Sequence, residues 1–153
     1  MKKILIVLAK VLFLLVIIII FFGEHRRFYC VGGNKCVTVW KLLGGKCYVI
    51  PGKYYGLINM SDNYIITTNL SLLDCYWSEE LPNTLIVRFG SSDYYKIINK
   101  NKNNIKIIDY SNSMEGIFYK KGATRMDEIK SNASLMMIYV DEDYAMDRNG
   151  KHL

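Results

Sequence analysis

Four cysteines, two histidines and a few runs of carboxylates are the side chains of this sequence that could carry covalent or proton-transfer chemistry. The histidines are poorly placed for it. His25 stands three residues after a long apolar run ends at Phe22, and His152 sits beside the last residue. General acid–base work near neutral pH and catalytic zinc sites both depend on a histidine held within reach of a partner. Neither position promises that, so Ser–His and Cys–His catalysis are not expected.

The acids are Glu79-Glu80, Asp127-Glu128 and Asp141-Glu142-Asp143, with single acids elsewhere. Neighbours on a strand point to opposite faces, so no adjacent pair provides an acid and a base across one cleft. Acids in polar loops read as solvated surface. The stretch from Asp141 to Gly150 has fragments of a calcium loop, but the spacing fails. Counting from Asp141 puts Ala145 and Met146 where a ligand and the turn glycine are needed. No phosphate-cradling glycine loop or dinucleotide fingerprint is present either. The reading is therefore a protein without catalytic activity, cofactor or metal. The alternative is a carboxylate-dependent enzyme acting on envelope glycans through Glu79 or Glu80.

Cys30, Cys36, Cys47 and Cys75 are separated by gaps that do not form the close pairs of structural zinc sites. In an oxidising compartment they permit two disulfides in three pairings. The glycine-containing stretch 31–35 lets Cys30 close on Cys36, leaving Cys47 and Cys75 to join two strands.

The chain has a surplus of aromatic residues, 12 of them tyrosine. Tyr54-Tyr55 and Tyr94-Tyr95 are doublets, and on a strand one member of each packs inward while the other is displayed. With Trp77 these four tyrosines are the candidate partner-binding residues, because Tyr and Trp offer rigid area with a polar tip. The competing reading is that they fill ordinary cross-strand pairs.

The elements that must position these residues are mostly strands. Short apolar and aromatic runs at 36–42, 46–50, 53–58, 63–68, 84–89, 94–98, 105–109, 116–120 and 134–140 are separated by turn residues. Gly44-Gly45 marks a hairpin. Residues 69–83 fit either a helical turn or a loop packed over the sheet, and Thr124 to Asp127 predicts a capped short helix over 125–131. The expected fold is a mainly-β (β-rich α+β) small domain, a mostly antiparallel sheet of barrel or sandwich type.

Ahead of it, residues 4–22 are apolar except for Lys10 and are long enough, at roughly 28 Å, to cross a bilayer as a helix. No pair of small residues suits signal-peptidase cleavage, so the run reads as an uncleaved signal-anchor. The division expected is an anchor at 1–23, a juxtamembrane linker at 24–35, a β-rich extracytoplasmic domain at 36–140 and a polar tail at 141–153. Beyond residue 23 there are 17 basic against 14 acidic side chains. That excess is too small to call for nucleic acid, and the lysines at 96, 100, 102 and 106 read as a solvated hairpin tip. The expected function is that of a single-pass membrane-anchored extracytoplasmic binding protein, immunity-type or envelope-associated. Its expected partners are the lipid bilayer, through residues 4–22, and another envelope protein, an incoming protein toxin or wall polysaccharide. A structural subunit of a larger membrane complex is disfavoured, because the apolar run lacks small-residue spacing and polar glue.

Overall fold

A computed structural model of the chain describes residues 2–23, 25–42, 44–56, 61–91, 94–110 and 132–153. A helix, α1 (Lys2–Gly23), precedes ten strands: β1 (His25–Cys30), β2 (Cys36–Lys41), β3 (Lys46–Pro51), β4 (Asn63–Thr68), β5 (Leu72–Trp77), β6 (Thr84–Ser91), β7 (Tyr94–Asn99), β8 (Lys106–Asp109), β9 (Ser134–Tyr139) and β10 (Tyr144–Asp147). They form two five-stranded sheets, ordered β1-β2-β3-β4-β7 and β10-β9-β5-β6-β8. We call these sheets A and B. Every pairing is antiparallel except β6 with β8.

The two sheets share one core. Val37, Val39, Val49 and Ile65 from sheet A meet Leu73, Cys75, Leu85, Val87, Met136 and Ile138 from sheet B, all buried. Each fully buried Leu or Ile in that list stabilises the fold by about 1.5–3 kcal/mol relative to leaving it in water. The chain moves between sheets three times, from β4 to β5, from β6 to β7 and from β7 to β8. The first move turns on Asn69 and the loop before β6 on Asn83, both at positive φ, a conformation that asparagine tolerates better than most residues.

Several expectations from sequence are revised. Residues 25–30, placed in a linker, form edge strand β1 with full pairing from His25↔Lys41 to Cys30↔Cys36. Residues 72–77, left between helix and loop, are a central strand of sheet B flanked by β6 and β9. Residues 144–147, placed in a polar tail, pair with β9, and Leu153 N–H donates to Ala145 O at 2.9 Å. Residues 53–56 are irregular rather than strand. The strand expected at 116–120 and the helix expected at 125–131 lie outside the described residues. The Gly44-Gly45 hairpin is present, closed by Leu42 N–H donating to Lys46 O at 2.8 Å, with both glycines at positive φ.

Side chains of α1 are described for residues 6–17, and those at 6–16 are exposed. Among the described residues no helix is long and apolar enough to cross a membrane; those twelve positions rise only about 18 Å.

A candidate recognition face on sheet A

The outward side of sheet A is built by strand alternation. Tyr29, Val37, Val39 and Val49 face the core, so Arg26, Phe28, Thr38, Trp40, Tyr48, Ile50 and Tyr64 fall on the opposite side. The register aligns them in rows. Arg26 lies across from Trp40, and Trp40 from Tyr48; Phe28 lies across from Thr38, and Thr38 from Ile50.

Thr38 then folds the chain after β3 back over this side. Its hydroxyl donates to Gly52 O at 2.6 Å and accepts from Tyr54 N–H at 2.9 Å. Gly52 N–H also donates to Cys36 O at 2.7 Å. These bonds lay Tyr54 beside Trp40, with ring centroids 6.3 Å apart, and Tyr55 over Phe28 at 4.9 Å. Trp40 also meets Tyr48 at 5.8 Å, and Tyr48 meets Tyr64 edge-on at 5.8 Å. The six rings therefore form two neighbouring groups beside the Thr38 clasp. Their exposure is graded: Trp40 is 5% exposed, Phe28 36% and Tyr55 68%.

The Arg26 guanidinium stands 4.1 Å from the Trp40 ring centroid and 5.7 Å from that of Tyr54. Such cation–π contacts hold a guanidinium in place without cancelling its charge. Among the described residues Arg26 makes no ion pair. The Trp40 indole N–H and the Tyr54 hydroxyl are both buried with no hydrogen-bond partner among the described residues.

The sequence-selected residues separate. Tyr54 and Tyr55 join this face, as inner and outer members of their doublet. Tyr94 is 54% exposed at the far edge of sheet A, across from Thr68. Tyr95 is an internal clamp: its ring stacks on Phe89 at 3.9 Å and its hydroxyl donates to Asp109 Oδ2 at 2.6 Å, so it ties β7 to sheet B. Trp77 is a correction. It is 6% exposed and packs in the core, with what surface remains turned to a cavity at one end of the sandwich and not to this face. Phe28, Trp40, Tyr48, Tyr64 and Arg26 are not singled out by sequence as binding residues. The alternation of β2, once joined to β1, is the signal that would have found them.

The cysteines are half as expected. Cys30 and Cys36 face each other across β1–β2 and form a disulfide, with Cα atoms 4.0 Å apart. Cys47 and Cys75 are both free thiols buried in the core, so the second bridge is not formed. Burial pushes the Cys47 thiol up to about 12 despite the opposing charge of Lys41. Burial, reinforced by the Asp74 carboxylate, raises Cys75 as well. Tyr29 is likewise pushed up to about 12, by burial first and by Asp143 second. None is primed as a nucleophile, which would need a lowered value.

Glu79 and Glu80 are exposed in the turn after β5. Among the described residues no three His, Cys, Asp or Glu side chains gather to hold a metal ion. In comparisons with known proteins, no family model, no curated protein and no solved structure matches the chain.

Proposed function

We propose that this protein is a non-enzymatic recognition module, tethered to a membrane by α1 and holding its β-sandwich outside the cytoplasm. Its partner is a protein that seats an acidic side chain at Arg26. The tether is supported by the apolar run at 4–22 and by the exposure of Ile6, Leu8, Leu12 and Phe13, an apolar surface that water disfavours. The compartment is supported by the Cys30–Cys36 bridge, since such bonds persist in oxidising surroundings.

The observation that carries the reading is the guanidinium of Arg26. It is stacked on two rings, without an ion pair among the described residues, beside a rim formed by Phe28 and Tyr55. Arg, Trp and Tyr are the residues that most often dominate binding energy. A carboxylate reaching this spot would gain a charge-assisted bond partly shielded from water.

The test is site-specific photo-crosslinking in the native host. A photoreactive residue at Tyr55 or Phe28 should trap one stoichiometric protein, a residue at Tyr94 should not, and Arg26→Glu should abolish the adduct. Equal trapping from Tyr94 would sink the assignment of the face. Labelling of intact cells with an impermeant thiol reagent, with and without prior reduction, tests the compartment. Cys30 and Cys36 should react only after reduction.

A further inference from the structure

The end of the sandwich that carries Pro51 and Asn63 has two neighbouring cavities rich in asparagine. One, of about 310 Å³, is lined by Pro51, Ser61, Asn63, Asn83, Asn103, Asn104 and Ile105. The other, of about 370 Å³, shares Asn83 and Ile105 and adds Asn34, Lys35, Trp77 and Glu79 among its walls. Each lies at the lower bound of the ~300–1,000 Å³ usual for ligand sites.

Asparagine does two separate things here. Asn63, Asn99 and Asn101 build the frame. Asn63 Nδ2 donates to Asn101 O and Ile105 O at 2.9 and 3.0 Å, and its Oδ1 accepts from Asn101 N–H at 3.0 Å. Asn99 clasps Ile107 through both ends of its amide. Asn101 holds Asp62 and the Asn103 N–H. Asn34, Asn83, Asn103 and Asn104 are different: they line the cavities, and among the described residues their side-chain amides make no hydrogen bond. Each presents a donor and an acceptor in one plane. Trp77 adds an indole N–H that is buried in the same wall without a partner among the described residues.

We propose that this pole binds a neutral oligosaccharide, with the amides of Asn34, Asn83, Asn103 and Asn104 reading its hydroxyls. Coplanar donor–acceptor pairs match vicinal hydroxyls, each of which both gives and takes a hydrogen bond. Among the described residues, apolar lining comes from Pro51, Leu81, Pro82, Ile105 and the Trp77 ring, most of it in the second cavity, where it suits the C–H faces of sugar rings. The one cation among the described lining residues, Lys35, already donates to Ser134 Oγ at 3.2 Å, and the acidic Glu79 lines the same cavity. An anionic ligand is therefore not favoured. The site shares no residue with the aromatic face and stands or falls apart from it.

The test uses the full chain in lipid nanodiscs, labelled with ¹⁵N at its two tryptophans. The probes are chitotetraose, cellotetraose, maltotetraose and, as a peptide control, tetraglycine. At least one sugar should shift the Trp77 indole signal saturably while leaving that of Trp40 in place; Trp40→Phe assigns the two. Asn83→Gly, which keeps the positive φ, and Asn103→Ala should each weaken binding about fivefold to tenfold, the loss of one or two neutral hydrogen bonds. The proposal is overturned if no sugar moves Trp77 at about 10 mM, the weakest binding that would matter. It is also overturned if the peptide alone moves it, or if both asparagine variants bind as before.

Discussion

The outer sides of the two sheets handle an arginine in opposite ways. On sheet B, Arg88 lies across the strand pair from Asp74, and its Nε donates to Asp74 Oδ2 at 2.9 Å. Asp74 is buried while Arg88 is half-exposed. The bond to Asp74, ahead of any other cause, raises the guanidinium further above its ordinary range. Tyr76, packed beside them with Ile86 and Ala133, is raised by burial and by the Asp74 charge. On sheet A, Arg26 rests on Trp40 and Tyr54 with no carboxylate among the described residues. One arginine completes an internal pair, and the other keeps its charge available. A structural role is therefore expected for sheet B's arginine and a recognition role for sheet A's.

The inward sides of the two sheets, by contrast, are alike in burying one free thiol each, and alkaline unfolding tests this with the largest effect. Cys47 of sheet A and Cys75 of sheet B both keep their protons in the folded state beyond the pH at which an unfolded chain releases them. Raised folded values mean stability is fully present below about pH 9 and is lost as pH climbs towards about 12. Tyr29 adds to the loss from about 10 upward. Urea midpoints measured across that window should fall steeply, and Cys47→Ala or Cys75→Ala should each flatten the fall. A flat wild-type profile would show that the thiols are not sealed in.

Arg88→Ala comes next. It strands a buried carboxylate, and because Arg88 is itself half in water the cost should be about 2–3 kcal/mol rather than the full penalty of a sealed pair. Chemical denaturation measures it directly. The matched change, Arg26→Ala, should cost under about 1 kcal/mol of stability, the scale of an accessible cation–π contact. It should nonetheless weaken partner capture by more than tenfold, a loss above about 1.4 kcal/mol. If the two variants prove equally destabilising, the contrast between the sheets fails. Tyr55→Ala should be the mildest, within about 0.5 kcal/mol because the ring is exposed, and its effect should appear in the crosslinking yield alone.

Where the amino-acid pattern was locally unambiguous, the fold could be read in advance. Gly44-Gly45 between two alternating runs reads as a hairpin and forms one, whereas the Tyr54-Tyr55 doublet, expected on a strand, lies in irregular chain laid over the outer side of sheet A. The failures have physical causes. His25 to Cys30 contains two arginines and a histidine, which look like linker until cation–π stacking and an exposed edge make them acceptable in a strand. Leu72, Leu73, Tyr76 and Trp77 suit one side of a helix as well as they suit a strand covered on both sides, where alternation is erased. Aromatic identity does not say which way a ring points, so Trp77 reads as displayed from sequence although it packs in the core. Cysteine spacing does not say whether two thiols in one core meet, and Cys47 and Cys75 share the core without forming the expected bridge. The recognition face was partly hidden because its rows exist only once β1 is in register with β2.

The Cys30–Cys36 bridge has a mechanical meaning set by its place on β1. In the tethered arrangement proposed above, a pull along α1 would arrive at His25, the first rung of an edge strand held by one neighbour. That geometry opens like a zipper, rung after rung, towards Cys30. The covalent link sits at the last rung, so unzipping halts there and the load passes into β2, an interior strand gripped on both sides. A module built this way can lose its first strand under tension and reclose it, while the rest of the sandwich stays folded.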